Sequence, residues 1–318
     1  MKTLKPTTMR DALIEQIYLG MKSDKKLFFV SADFGSPVLD KIRKEFSSNF
    51  INVGIAEQNL VNVVTGLALE GFVVYAYAIA PFLSMRAYEQ IRTNLALLSQ
   101  LKPVNVNLIS VGAGISYDVS GPTHHCLEDI ALMRLLPNIM VFSPSDWVLS
   151  EKFFKVTCDI AQPKYIRLDA KPLPAIYSLD EDIDFTKGFA KLKEGSDVCL
   201  ISTGYMTHKA LNIAEMSKKE NINCSVIDIF MIKPLDLVAL QKVLCKFKKI
   251  FVLEESFTGK GGLDSLVYNL IREANIVADV RAFGFKDEYV FELGSRTYLH
   301  EYCGLSDEVI MKAIKDTF

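Results

Sequence analysis

Two kinds of hydrophobic pattern alternate along the chain. Short, nearly continuous apolar runs such as residues 73–79 (VVYAYAI) are typical of strands buried on both faces of a parallel sheet. Between them, apolar residues recur every three or four positions, as in residues 56–71, which indicates an amphipathic helix. We therefore predict an α/β fold with two domains, each a mostly parallel sheet flanked by helices.

The alternation is interrupted once, between residues 170 and 188. Residues 171–187 (KPLPAIYSLDEDIDFTK) combine two prolines with four acidic residues and have no helical period, which favours a connector. A chain of 318 residues also exceeds what one hydrophobic core usually serves. We predict a first domain over 1–170, a linker over 171–187 and a second domain over 188–318. In the second domain the alternation restarts, with strands predicted over 224–229 (CSVIDI) and 279–285 (DVRAFGF).

Composition narrows the possible partners. Half of the residues are hydrophobic and the formal net charge is −2, so there is no electrostatic reason to expect nucleic acid or an anionic membrane. The six cysteines are scattered without paired spacing, as in reduced cytosolic proteins. The N-terminal residues lack the pattern of a signal peptide, and no apolar stretch is long enough to span a bilayer. We expect a cytoplasmic enzyme.

One carboxylate and one histidine are candidates for chemistry. Glu57 lies where a strand-like run ends and an amphipathic helix begins, and a sheltered carboxylate needs a partner. It could equally be an N-terminal helix residue favoured by the helix dipole. His124 follows a Gly-Pro turn and could donate to a substrate oxygen or transfer protons near neutral pH. His125 is adjacent, and two neighbouring histidines cannot both face one cavity, so one of the pair is expected to be polar scaffold.

Several familiar sites are absent from the sequence. There is no GxxxxGK[ST] phosphate-binding loop, and no set of Cys and His residues has zinc-like spacing. The residues alone therefore predict only a two-domain α/β enzyme whose cleft contains Glu57 and His124.

Six motifs, in this order and spacing, resemble the C-terminal half of transketolase and of deoxyxylulose-phosphate synthase. They are VGIAEQN (53–59), APFLSMRAYEQ (80–90), GPTHH (121–125), MVFSPSD (140–146), VIDIFMIKPLD (226–236) and VLEESFTGKGGLDS (252–265). The resemblance runs from about Met9 to the last residue. It implies a pyrimidine-binding domain followed by a transketolase C-terminal domain, in an enzyme that uses thiamine diphosphate.

The resemblance also implies roles for residues near the cofactor. Glu57 would bond a ring nitrogen of the aminopyrimidine and favour the imino tautomer, which then deprotonates the thiazolium ring. Phe82 would pack on the pyrimidine ring, unless it is an ordinary core phenylalanine, and Met85 and Tyr88 would line the same turn. Transketolases more often have an aromatic residue where this chain has Met85.

Substrate contacts are implied for His124, Ser120 and Arg167, with two departures from the family. Ser120 stands where an aspartate is usual, and Ala170 stands where a phosphate-binding arginine is common. Either the neighbouring Lys171 or Arg167 binds the substrate phosphate instead, or the acceptor is not an ordinary short sugar phosphate. The more specific hypothesis is that the acceptor is a larger or nucleotide-linked sugar.

The diphosphate-binding half of the family's active site has no counterpart, since no GDG motif occurs. The resemblance therefore implies the C-terminal, beta-like subunit of a split transketolase, which moves a two-carbon ketol unit between sugars. An N-terminal diphosphate-binding subunit would hold most of the Mg²⁺ ligands. We expect a homodimer of this chain within a two-plus-two heterotetramer. The alternatives are a split deoxyxylulose-phosphate synthase, the beta chain of a 2-oxo acid dehydrogenase, and a non-catalytic paralogue that only binds a partner.

Overall fold

The computed structural model describes residues 7–318, which divide into two compact units. The first comprises residues 7–113, Leu132–Phe142 and Asp146–Ile183. The second comprises Gly114–Ala131, Ser143–Ser145 and Asp184–Phe318. In the described part of the chain, every helix is too short or too polar to cross a bilayer.

Up to residue 168 strands alternate with helices as predicted, but the helices Pro37–Glu45 and Trp147–Asp159 and the strand Lys164–Leu168 were not predicted. The predicted strand over 73–79 is found with the same bounds, and the helix predicted from residue 56 begins at Glu57. The segment between the strands Val73–Ile79 and Asn105–Val111 is helical and contains two π-helical stretches, Phe82–Arg86 and Ile91–Leu97. The elements are α1 (Met9–Met21), β1 (Leu27–Ser31), α2 (Pro37–Glu45), β2 (Phe50–Asn52), α3 (Glu57–Leu69), β3 (Val73–Ile79), α4 (Tyr88–Gln90), β4 (Asn105–Val111), α5 (Asp129–Leu135), β5 (Met140–Phe142), α6 (Trp147–Asp159) and β6 (Lys164–Leu168).

The strands of the first unit form a parallel sheet in the order β5-β6-β4-β3-β1-β2. The longest register joins β3 to β4, from Val73 opposite Asn105 to Ile79 opposite Val111. Because the strands are parallel, their carboxyl ends meet at one edge of the sheet, the edge where α/β proteins bind ligands. The chain leaves β2 just before Glu57 and leaves β3 just before Phe82, so both lie at this edge.

A lysine is buried at the opposite edge of the same sheet. Lys164 begins β6, and its ammonium group donates to Asn105 Oδ1 at 2.9 Å and to the backbone carbonyl oxygens of Ile160 and Gln162 at 2.5 and 2.9 Å. Burial lowers the pKa of Lys164 to about 7. Folding therefore destabilises the charged form of Lys164, even though its ammonium group has hydrogen-bond acceptors.

We expect the Lys164→Met variant to reveal this lowered pKa through the pH dependence of stability. Between the folded pKa of about 7 and the ordinary value of 10.5, the unfolded chain holds a proton that the folded chain has released. The free energy of unfolding of the native sequence should therefore rise with pH relative to the variant, by at most about 1.4 kcal/mol per unit. Urea unfolding at pH 7, 8 and 9 measures this, with exposed Lys44→Met as control. If the difference in free energy of unfolding between the native sequence and Lys164→Met did not change between pH 7 and 9, the prediction would be contradicted.

The second unit contains the second series of elements that the pattern predicted. The strands predicted over 224–229 and 279–285 are found with those bounds. Two strands, Phe189–Lys193 and Met231–Lys233, and two helices, Arg296–Tyr302 and Asp307–Lys315, were not predicted. The elements are β7 (Phe189–Lys193), β8 (Val198–Ser202), α7 (Met206–Lys219), β9 (Cys224–Ile229), β10 (Met231–Lys233), α8 (Leu237–Leu244), β11 (Lys249–Phe257), α9 (Leu263–Glu273), β12 (Asp279–Phe285), α10 (Arg296–Tyr302) and α11 (Asp307–Lys315).

The sheet of the second unit has the order β12-β11-β8-β9-β7. Its strands are parallel except β7, which runs antiparallel to β9 at the edge. The segment Gly114–Ala131 belongs to this unit although it lies within the first 170 residues. Its Ile115 and Leu127 are buried in one cluster with Phe285, Val290 and Leu299, which explains why the segment is held there.

Candidate active site

Glu57 is placed by a turn at the carboxyl end of β2. Gly54 in this turn has φ of +75°, a left-handed conformation that glycine adopts without a steric penalty. The helix α3 then begins at Glu57 itself, without a side-chain cap from Ala56. The Glu57 side chain is only 3% exposed. The turn therefore directs a carboxylate inward at the ligand-binding edge of the sheet.

Arg86 is the partner of this buried carboxylate in the structure. Its Nη1 donates to Glu57 Oε2 at 2.6 Å, and its side chain is 46% exposed. The guanidinium carbon lies 4.8 Å from the centre of the Phe82 ring, within reach of a cation–π interaction. Arg86 thus connects the two residues that the sequence assigned to the pyrimidine ring.

Arg86 was not among the site residues predicted from the sequence. A sheltered carboxylate implies a cation nearby, but many lysines and arginines could have served. The pair forms because β2 and β3 flank β1 in the sheet, which brings the segments after them to the same edge. That strand order cannot be read from local periodicity.

The other two residues predicted to line this turn differ in their surroundings. Met85 is 38% exposed. Tyr88 is half-buried, and its hydroxyl donates to the backbone carbonyl of Leu132 at 3.1 Å. Tyr88 is therefore held through its hydroxyl by another part of the first unit, whereas Met85 presents an apolar surface to solvent.

Ser120 and His124 share one loop of the second unit. Gly121 turns the chain between them with φ of +79°. Ser120 is exposed and His124 is half-buried, with its Nδ1 3.1 Å from Thr123 Oγ1 and its ring edge-on to Tyr117. Both are accessible from solvent, as a substrate contact requires.

His125 and Arg167 are enclosed by the structure. His125 is buried, and burial lowers the pKa of its imidazole, so the ring is neutral at pH 7. Arg167 lies in β6 opposite Ser110 of β4 and is 3% exposed, so a substrate phosphate cannot reach it in this conformation. Lys171, by contrast, is half-exposed beyond the end of the same strand, where its backbone N–H donates to Asp169.

The structure therefore gathers the predicted residues in two places. Glu57 and Phe82 meet through Arg86 in the first unit, and Ser120 and His124 lie on one loop of the second unit. Within residues 7–318, no group of three or more His, Cys, Asp and Glu side chains is arranged to hold a metal ion.

Comparison with known families assigns both halves of the chain. The family described as "Transketolase, pyrimidine binding domain" matches residues 5–174. The family described as "Transketolase, C-terminal domain" matches residues 188–310. These matches confirm the fold and the family predicted from the six motifs.

Individual relatives resemble the chain over nearly its whole length. A protein of Methanocaldococcus jannaschii named "Putative transketolase C-terminal section" is 32% identical, over 94% of this chain and 92% of its own length. A protein of Phocaeicola vulgatus, named as one of the subunits of an apulose-4-phosphate transketolase, is also 32% identical, over 92% of this chain and 91% of its own length.

A solved structure shows the same likeness in three dimensions. It is described as "Split gene transketolase, inactive beta4 tetramer", is 32% identical, covers 97% of each chain and superposes with a TM-score of 0.85. These relatives of matching length are thus separate sections or subunits of a transketolase. The chain belongs to the transketolase family, in which it corresponds to the C-terminal subunit of split transketolases.

Proposed function

We propose that this chain binds the pyrimidine half of thiamine diphosphate through Glu57, within a split enzyme that transfers a two-carbon ketol unit between sugars. The observation that supports this most directly is the 3%-exposed Glu57 carboxylate at the ligand-binding edge of the first sheet. Its charge is balanced by Arg86, whose guanidinium also faces Phe82.

The residues at this edge suit a flat heteroaromatic ligand with ring nitrogens. When bound, thiamine diphosphate supplies the carbon nucleophile that the protein's side chains lack. The Glu57 carboxylate would bond the pyrimidine nitrogen, in a sheltered position where such a bond is stronger than in water. Phe82 offers a ring for stacking, and Arg86 orients the carboxylate through its bond to Oε2.

His124 would contact the sugar from the loop of the second unit. Its half-buried ring can donate to a hydroxyl or carbonyl oxygen of the sugar. Ser120, exposed on the same loop, would provide a neutral hydroxyl where related enzymes have a carboxylate.

The acceptor is proposed to differ from an ordinary short sugar phosphate. The position of the usual phosphate-binding arginine holds Ala170, and Arg167 is enclosed in β6. The half-exposed Lys171 would then bind an anionic group of the substrate, but without the bidentate geometry of arginine. Relatives named for apulose 4-phosphate and for 6-deoxy-6-sulfo-D-fructose are about as similar to this chain as other transketolase subunits.

A second subunit is part of the proposal. A split transketolase structure 32% identical to this chain is described as an inactive tetramer of beta chains. We propose that this chain likewise needs an N-terminal partner that carries the diphosphate-binding domain and most of the Mg²⁺ ligands. Two copies of each chain would assemble around a homodimer of this one, in the cytoplasm.

Calorimetry with thiamine diphosphate and Mg²⁺ tests this dependence. The purified chain should bind the cofactor weakly, because the charged end lacks its site, and addition of the partner should bring the dissociation constant to about 1 μM or below. Submicromolar binding by the chain alone would contradict the need for a partner.

Turnover by the reconstituted pair tests the reaction. Xylulose 5-phosphate with ribose 5-phosphate should give little product, whereas another acceptor of a sugar panel should be used well. A specificity constant of about 10⁵ M⁻¹s⁻¹ with ribose 5-phosphate as acceptor would contradict the proposed acceptor class. Decarboxylation of pyruvate in place of ketol transfer would instead favour the synthase or dehydrogenase alternatives.

A further inference from the structure

We propose that Asp118 is a positioning residue that holds the loop 114–126 in the conformation in which Ser120 and His124 meet the sugar. The inference rests on the proposed function of this loop. It concerns a carboxylate that the sequence motifs did not single out and that lies two residues before Ser120.

The two ends of the loop are joined to each other. The Gly114 N–H donates to the Cys126 carbonyl at 3.1 Å, and the Cys126 N–H donates back to the Gly114 carbonyl at 2.8 Å. Between these ends, Val119 and Ser120 are exposed. Burial therefore does not hold Val119 and Ser120. A turn bond from the Ser120 N–H to the Tyr117 carbonyl at 3.0 Å is local, so fixing this turn in the unit requires a contact outside the loop.

The Asp118 carboxylate provides such a contact. The side chain is 2% exposed, and its Oδ1 accepts from the Val119 N–H at 2.9 Å. Its Oδ2 accepts from the backbone N–H of Arg296 at 2.8 Å, across 178 residues of sequence. Hydrogen bonds to an ionised acceptor are stronger than neutral ones, so Asp118 ties the loop firmly to the start of α10.

Arg296 is itself held in place, which makes it a suitable anchor. Its Nε donates to Glu255 Oε1 at 2.8 Å, and its guanidinium lies 3.7 Å from the centre of the Tyr205 ring. Both Arg296 and Glu255 are buried. A charged pair enclosed in this way has few alternative conformations.

The same pair also contacts the first residue of the loop. A Cβ at Gly114 would lie 2.0 Å from Glu255 Oε2, so the carboxylate packs directly against the glycine backbone. The Glu255–Arg296 pair therefore constrains the loop at Gly114 directly and at Asp118 through the Arg296 backbone. The loop meets its ligand already ordered, and less conformational entropy is lost on binding.

The test compares Asp118→Asn and Asp118→Ala in the enzyme reconstituted with its partner. Asp118→Asn keeps the size of the side chain and one acceptor, whereas Asp118→Ala removes both bonds. We expect KM for xylulose 5-phosphate, assayed with the best acceptor of the sugar panel, to rise roughly tenfold or more in Asp118→Ala and less in Asp118→Asn, the scale of losing charged hydrogen bonds. Cofactor affinity and kcat should change by less than about threefold, because the loop acts on sugar binding.

Hydrogen exchange supplies a readout that does not depend on turnover. The amides of Val119 and Arg296 lose their acceptor in Asp118→Ala, so amides of the loop should exchange faster in this variant. The exposed Asp316→Asn, at the end of α11, makes the same chemical change elsewhere in the unit and should alter neither KM nor exchange.

Unchanged KM or unchanged loop exchange in Asp118→Ala would overturn the positioning role. If Asp118→Ala does not fold, Asp118→Asn decides by the same two measurements. His124→Ala serves to separate the two proposals. An unchanged KM in that variant would overturn the proposed function of the loop, whatever Asp118 does.

Discussion

Glu57→Gln is expected to lower the turnover of the reconstituted enzyme by about two orders of magnitude, or about 2.7 kcal/mol of barrier. The substitution keeps the size of the side chain but removes the anion that would bond the pyrimidine nitrogen. The circular-dichroism signal of the imino tautomer of the cofactor should be lost with the activity.

The variant should fold, and the structure gives the reason. Arg86 is 46% exposed, so its guanidinium remains hydrated when the carboxylate becomes an amide, and the amide oxygen can still accept its bond. Glu70→Gln, at the other end of α3 and exposed, is the matched control and should leave turnover unchanged. Turnover of Glu57→Gln within about threefold of the native sequence, or half a decade of rate, would rule out the role proposed for this carboxylate.

Glu255→Gln is expected to destabilise the second unit by about 3–5 kcal/mol, because it leaves a buried guanidinium without its counter-charge. Glu255 accepts from Arg296 Nε at 2.8 Å and lies 2.7 Å from His300 Nε2. Burial lowers the pKa of His300, so the ring is neutral at pH 7 and donates to the carboxylate. The guanidinium is thus the charge that Glu255 compensates.

The pH dependence of this contribution follows from the pKa of Glu255. Burial alone would raise this pKa, but the nearby Arg296 and His300 hold it well below its usual range. The carboxylate therefore contributes stability that is fully present above its unfolded value of 4.5 and is lost only as the pH falls further. The native chain should retain this contribution at pH 5.

A double-mutant cycle separates the pair from its surroundings. Urea unfolding of Glu255→Gln, Arg296→Met and the double variant should show that removing both charges costs less than removing Glu255 alone. The exposed Glu273→Gln, at the end of α9, is the control. A loss below about 1 kcal/mol in Glu255→Gln, the value of an exposed ion pair, would show that the guanidinium finds another partner.

Local pattern was sufficient for most of the fold. Strands over 73–79, 224–229 and 279–285 were predicted with the bounds that the structure has, since an apolar run between turn residues is visible within a few positions. The edge strand β7 was missed, because Phe189–Lys193 alternates with lysines and is half-exposed. Two C-terminal helices were also missed. The helix α10 spans only seven residues, whereas α11 buries Ile310, Met311 and Ile314 at helical spacing, a period that is visible in the sequence.

The candidate site was predicted one residue at a time, without its supporting contacts. Glu57 and His124 stood out because a carboxylate at a strand–helix junction and a histidine after a Gly-Pro turn are unusual within a short window. Arg86 and Asp118 did not, because their importance depends on residues 29 and 178 positions away. No periodicity within a window of ten or twenty residues contains such information.

The sequence by itself determined the class of fold, most of the strands and helices, the family through its six motifs and the identity of the candidate residues. The tertiary structure decided that Arg86 compensates Glu57, that Arg167 is enclosed, and that Gly114–Ala131 packs with the second unit. The physical reason is the distance along the chain between the residues that determine each feature. Backbone preference and hydrophobic period are properties of neighbouring residues, whereas the partner of a buried charge is set by the order of strands in a sheet and by which distant side chains close the core around it.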